Sequence, residues 1–279
     1  MLIWQADLHR PPLTSAAGEP LWELLICDQE FTFSYGATCP QAGVNGAWVT
    51  EQVKRAMARA GPPPDQILVF RPQALSLLQL GCEPLGLEVR PTRHVNTLYQ
   101  WLQQRGRWYP TLEHYTGVPY NPLQLDQPPP LPLPEALWGN EWRFAALNAG
   151  EFEQTLPYEP IPIRHLPPHW MPLQLGLASN TPLPGVVIDA GRQAMPLCQW
   201  LQANQPAWLT YMPGDPDGLI LDAGLVDRWV MTTFSDPAVA SAGKLFQQRQ
   251  QASQGLHFLL IRPDDSGLTY TGLWLLRRA

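Results

Sequence analysis

Three strand-like apolar runs, LIWQADLHR, LWELLICD and FTFSYGA, precede the first helical pattern, and beyond it helices and strands alternate. This order restricts the N-terminal third to a mixed sheet. A meander can be closed by turns, whereas strands separated by helices must pair in parallel through crossovers. The spacing predicts a helix at 46–60, a strand ILVFRP, a helix around 73–81, a strand LEVRPT and a helix around 94–105. Gly61-Pro62-Pro63-Pro64 ends the first long helix, because proline can neither donate to it nor continue it.

A meander followed by βαβα units is the order of ribonuclease-H-like folds, in which helices cover both faces of a mixed sheet. A chain of 279 residues with 45% hydrophobic residues can build a second unit beside it. The C-terminal part reads as PGVVIDAG, a helix near 192–203, the strands PAWLTYMP, GLILDAG and DRWVMTTF, a helix near 238–252, and the strands LHFLLIRP and LTYTGLWLLRR. Asp236-Pro237 gives that last helix a start signal and Gly255 a stop. The expected organisation is a ribonuclease-H-like domain at 1–110, a proline-rich connector at 111–172 and an α/β (α+β) domain at 173–279. Trp138, Trp142 and Phe144 in the connector argue that it lies packed over the domains, since a free linker lacks large apolar residues.

A ribonuclease-H-like sheet raises the question of nuclease chemistry, in which carboxylates hold two metal ions around a phosphate. Asp7 and Asp28 are the candidate acids. Glu51, the only carboxylate of the first helix, falls opposite the stripe of Val49, Val53, Met57 and Ala60, and ILVFRP supplies Arg71 where an acid is required. A cation in that place argues against two-metal catalysis. The pair is therefore read as a structural or vestigial acidic site, with Arg71 either neutralising Asp7 or Asp28 or facing a ligand at its strand end. Asp189-Ala190-Gly191, Asp222-Ala223-Gly224 and the 213–218 stretch read as ordinary turns rather than as phosphate or calcium sites. No cofactor or metal is expected, and the four scattered cysteines read as reduced and buried.

The net charge is −6, and lysine occurs only at Lys54 and Lys244, so any nucleic-acid surface must be local and arginine-based. Arg90, Arg93, His94, Trp101, Arg105, Arg107, Trp108 and Tyr109 cluster in one strand-helix-loop unit. With Arg71 they form the candidate RNA-binding set, because single-stranded RNA is held by aromatic stacking and arginine. On the helix Val95, Leu98, Tyr99 and Leu102 form the apolar stripe, with Trp101 and Arg105 paired on its flank. The same pair could instead be a cation–π contact capping the core. Trp274 sits in a continuously apolar strand and reads as core.

Trp4 with Asp7, Trp22-Glu23-Leu24 with Cys27-Asp28, Phe70-Arg71 with Gln73, Trp101-Leu102-Gln103 with Arg105, Leu133-Pro134-Glu135, Gly255-Leu256-His257-Phe258 and Trp274-Leu275-Leu276 stand in a fixed order. Together these blocks resemble the Tab and Atab family of RNA-binding translation activators, known from chloroplasts and with cyanobacterial members. The resemblance runs nearly end to end. It implies a non-enzymatic protein that binds A/U-rich single-stranded mRNA and promotes synthesis of photosystem reaction-centre proteins, photosystem I included. Translation or photosystem assembly proteins are the implied partners. The alternatives are an assembly factor acting by protein contacts and a metal-dependent nuclease. The chain opens on MLIWQADLHR with neither a signal nor a transit pattern, so the expected location is the cyanobacterial cytosol, at or near the thylakoid surface.

Overall fold

A computed structural model describes residues 2–125 and 127–278. The chain divides into two compact units, Met1–Asp126 and Gln127–Ala279. In the first, the strands β1 (Ile3–His9), β2 (Leu21–Asp28) and β3 (Ser34–Pro40) form the antiparallel meander. The helix α1 (Gly46–Ala60) leads to β4 (Gln66–Val69), α2 (Pro72–Cys82) to β5 (Glu88–Pro91), and α3 (Asn96–Trp108) follows. The sheet order is β3-β2-β1-β4-β5, with β4 parallel to both β1 and β5. This is the ribonuclease-H-like arrangement that the element order predicts. Asn45 caps α1 by accepting the Trp48 amide at 2.9 Å. Helix α3 continues three residues beyond the expected end at 105, which carries Arg107 and Trp108 into its last turn.

Alternation along β1 sorts its side chains by face. Trp4, Ala6 and Leu8 join Leu24, Ile26, Val49, Val53 and Leu78 in the core under α1 and α2. Gln5, Asp7 and His9 fall on the other face, where Leu25, Cys27, Val95, Leu98 and Leu102 pack beneath α3. A polar row is therefore buried against α3. Gln5 accepts the Leu98 amide at 2.9 Å and so satisfies one of the orphan donors in the first turn of that helix.

The second unit holds two sheets. Strands β6 (Leu131–Pro132) and β7 (Glu141–Asn148), α4 (Ala149–Thr155) and β8 (Ile163–His165) come from the proline-rich region. They are followed by β9 (Pro182–Asp189), α5 (Ala194–Asn204), β10 (Pro206–Met212), β11 (Asp217–Ala223), β12 (Asp227–Phe234), α6 (Pro237–Ala252), β13 (Leu256–Arg262) and β14 (Gly272–Arg277). One sheet has the order β10-β11-β12-β6 and the other β7-β9-β13-β14-β8. Asp236 caps α6 as expected. Gly255 turns the chain after it at φ +81°, where a Cβ would stand 2.0 Å from the Arg278 carbonyl oxygen.

The segment 111–172 falls partly in each unit. Residues up to 125 stay with the first, where Leu123 and Leu125 pack under α3. From 131 onward it adds strands to both sheets of the second unit and covers one face of the larger one with Phe152, Leu156, Ile161 and Trp170. Strand β14 is consequently buried on both faces. Trp274 and Leu276 enter one core, Leu273 and Leu275 the other, and Trp274 is 2% exposed.

Candidate nucleic-acid interface

The buried polar row of β1 organises the site. Arg71, at the amino end of α2, reaches Asp7 with two parallel hydrogen bonds, Nε to Oδ1 at 2.9 Å and Nη2 to Oδ2 at 3.1 Å. Its Nη2 also donates to the Pro122 carbonyl at 2.7 Å. This bidentate geometry is the strong form of an arginine–carboxylate pair. Burial pushes the Asp7 carboxyl up, but neighbouring His9 and Arg71 outweigh it and hold Asp7 below the usual carboxylate range.

From Asp7 the contacts run on toward α3. His9 Nδ1 lies 3.1 Å from Asp7 Oδ2, and His9 Nε2 lies 3.0 Å from the Tyr109 hydroxyl. Tyr109 donates to Glu23, and Glu23 also receives Nη2 of Arg105. The Arg105 guanidinium sits over the Trp108 ring, 4.2 Å from its centroid. Tyr120 stacks on His9 at 6.2 Å, and burial pushes its phenol up to about 12. The chain Arg71–Asp7–His9–Tyr109/Glu23–Arg105–Trp108 thus begins in the core and ends at a half-exposed indole.

Asp28 takes no part in this network. It registers opposite Trp4, whereas Asp7 registers opposite Leu25, which places the two acids on different faces of the sheet. Asp28 instead accepts from Thr32 and from the Phe33 amide, and so ties the turn between β2 and β3. Glu51 is exposed and pairs with Arg55 along α1. Among the described residues no group of three His, Cys, Asp or Glu side chains is arranged to hold a metal ion.

The remaining candidates fall into distinct environments. Arg93 is 3% exposed and Tyr109 fully buried, so neither offers an open surface. Arg90 is exposed and paired with Glu88 at 2.7 Å, and the His94 amide donates to Thr92. Trp101 and Arg105 have separate partners among the described contacts. Trp101 is half-buried against Phe31, edge to face at 5.5 Å, while Glu23 and Trp108 take the guanidinium. Arg107 and Trp108 are the open members, Trp108 being 44% exposed. His9 and Tyr120 were not singled out from the sequence, and Glu23 entered only within the Trp22-Glu23-Leu24 block, without a role in the site. The period-two spacing of Gln5, Asp7 and His9 was the available signal, since it places three polar groups on one face of a strand.

The sequence matches "RNA-binding protein Tab2/Atab2 N terminal" over residues 3–105 and "RNA-binding protein Tab2/Atab2, C-terminal domain" over residues 120–277. The chain belongs to the Tab2/Atab2 family. It is 27% identical over 281 residues to the chloroplastic TAB2 homolog protein of Zea mays, spanning 98% of this chain and 70% of that protein. To its counterpart in Arabidopsis thaliana it is 26% identical, spanning 98% and 74%. Among solved structures, the HTLV-2 integrase catalytic core domain in complex with magnesium aligns over 37% of this chain and 68% of that one, with 14% identity. Its TM-score is 0.26, too low to carry weight for fold or function.

The blocks that mark this Tab2/Atab2 chain divide by role. Trp4, Leu24, Cys27, Phe70 and Trp274 are core. Asp7, Glu23, Arg71 and Arg105 make the network that links β1, β2, α2 and α3. All four cysteines are free and buried, and burial pushes the thiols of Cys27 and Cys198 up to about 12. No helix among the described residues is long and apolar enough to cross a membrane.

Proposed function

We propose that this chain binds single-stranded, A/U-rich mRNA without cutting it, and thereby promotes synthesis of photosystem reaction-centre proteins. The observation that carries the non-catalytic part is the Asp7–Arg71 pair. A guanidinium occupies both oxygens of the carboxylate that a two-metal nuclease would use, and Asp28 lies on the other face of the sheet. RNA binding rests on the family and on the end of α3. There Trp108 offers a half-exposed ring backed by Arg105, and Arg107 is open beside it. Bases stack on such a platform, and arginine contacts phosphate. Arg90, His94 and Trp101 extend the proposed contact along β5 and α3. Arg71, Arg93, Arg105 and Tyr109 act from below by holding the helix in place.

Equilibrium binding to an A/U-rich RNA across a salt series, with Mg²⁺ present, tests the reading. The expected outcome is salt-sensitive binding of RNA that stays intact. An Arg107→Ala/Trp108→Ala variant should weaken it by about 1–3 kcal/mol or more. Cleaved RNA would return the nuclease reading. An unchanged affinity in the variant would move the contact away from α3, and absence of binding at low salt would favour an assembly role through protein contacts.

A further inference from the structure

The block LPEALWGNEW (133–142) has no part in the network of the first unit. It runs from the end of β6 into β7 along a cavity of about 400 Å³ in the second unit. Leu133, Leu137, Trp138, Gly139, Glu141 and Trp142 supply one part of the lining, and β6, β9, β11, β12 and α5 the rest. Cavities of this size are typical of small-ligand sites.

The wall is held rigidly. The Asn140 amide donates to the Asp189 carbonyl at 2.8 Å. A Cβ on Gly139 would stand 2.7 Å from Ile188 Cγ2, so the segment is seated tightly on the end of β9. Trp138 is 55% exposed, yet its indole Nε1 donates to the Leu133 carbonyl at 3.0 Å, which fixes an open ring in one orientation. Trp142 packs edge to face on Phe144 at 5.3 Å and tilted on Phe234 at 5.2 Å. On β12 the pairing shifts from Thr232 opposite Leu219 to Val230 opposite Ile220, leaving Met231 as the extra residue of a bulge. Bulges re-aim side chains, and here Met231 and Thr232 both line the cavity.

Chemistry narrows the occupant. Two indoles and an apolar floor suit a flat ring, Thr232 and Thr233 add polar groups to the lining, and among the described lining residues the charged one is Glu141. A carboxylate repels phosphate and accepts from N–H donors. We propose that this cavity holds one unstacked nucleobase of the bound RNA, with preference for a base bearing an exocyclic amine. The proposal rests on the RNA-binding reading and adds base selection by the second unit to it.

Titration with adenosine and with uridine, followed by ligand-observed NMR, tests the pocket separately from the oligonucleotide assay. Adenosine should bind in preference to uridine, and Glu141→Gln should shrink that preference. Trp138→Ala alters an exposed side chain and should weaken both adenosine and A-containing RNA by about fivefold or more. Thr233→Trp, also at an exposed position, should block adenosine. The Arg107→Ala/Trp108→Ala variant should bind adenosine like the wild type. If Trp138→Ala and Thr233→Trp leave both affinities unchanged, the pocket proposal is overturned while RNA binding through α3 stands. Failure of every form to bind RNA, with or without adenosine binding, overturns the pocket as an RNA site.

Discussion

Asp7 on β1 and Asp189 on β9 occupy comparable places, each toward the carboxyl end of a strand that has a parallel neighbour. Both are met by an arginine from beyond or at the end of that neighbour, Arg71 after β4 and Arg262 on β13. The surroundings differ. Arg71 is 12% exposed, donates onward to the Pro122 carbonyl, and pairs with an Asp7 that is fully buried. Asp189 has two arginines, Arg262 Nε at 2.5 Å and the half-exposed Arg143 Nη1 at 2.7 Å. A carboxylate toward the end of a strand can thus be closed from within, as in the first unit, or shared with a solvent-facing cation, as in the second. In the first arrangement Asp7 has Arg71 as its bidentate partner and His9 beside it at 3.1 Å, and losing the guanidinium is costly because an unpaired buried charge is far costlier than the pair is stabilising.

That contrast should give its largest effect in Arg71→Met, which leaves Asp7 buried beside His9 without its cation. A loss of roughly 3–5 kcal/mol in urea unfolding is expected, largely recovered in Asp7→Leu/Arg71→Met. If Arg71→Met costs no more than Arg262→Met, the distinction between the two locks fails.

Acid should separate the units next. His257 on β13 is fully buried, accepts the Leu209 amide at Nε2 at 2.8 Å and donates from Nδ1 to the Gly255 carbonyl at 2.9 Å. Burial lowers its pKa from 6.5 to about 4. Its contribution is complete above the unfolded value, and falls as pH drops through 6.5 toward 4, because the unfolded chain takes the proton first. The expected loss is roughly 3 kcal/mol. Asp7, held below 3.8, keeps its contribution throughout that window and loses it only at lower pH. Protection of the β10 and β13 amides, corrected for the intrinsic exchange rate at each pH, should therefore fall on mild acidification before protection at β1. A simultaneous fall in all three would contradict this assignment.

A smaller effect is expected at the shared lock. Arg262→Met leaves Arg143 on Asp189 and should cost roughly 1–3 kcal/mol, and Arg143→Met, at a half-exposed position, no more than about 1 kcal/mol. The smallest belongs to the proposed RNA face, where Arg107→Ala/Trp108→Ala should stay within about 0.5 kcal/mol of the wild type in urea. Lost RNA affinity with unchanged stability would show that the end of α3 is a surface and not a support.

Local pattern exposed much of this architecture. The strands of the meander, the helix at 46–60, the start of α6 at Asp236-Pro237 and the two-faced burial of β14 follow from periodicity, caps and continuous apolar runs. Strand β7 was harder to read. EWRFAALN lies among prolines, and its Trp142 and Phe144 alternate for too few residues to mark a strand until β9 lies beside it. The candidate site divided in the same way. Arg71 opposing an acid was legible, because a cation stood where a metal site needs an anion. The identity of that acid was not, since Asp7 and Asp28 look equivalent until register separates their faces. Trp101 with Arg105 looked like the natural pair at one helical turn. Glu23, 82 residues away, is the carboxylate that holds that guanidinium.

By itself, then, the sequence determined the elements, their order and the residue types available to each face, because these depend on interactions among neighbours along the chain. Tertiary structure alone decided which charges meet and which indoles stay open. Ion pairs between β1, β2, α2 and α3, and the cavity beside 133–142, join residues far apart in the chain. Their partners are chosen by strand register and helix packing rather than by any local pattern.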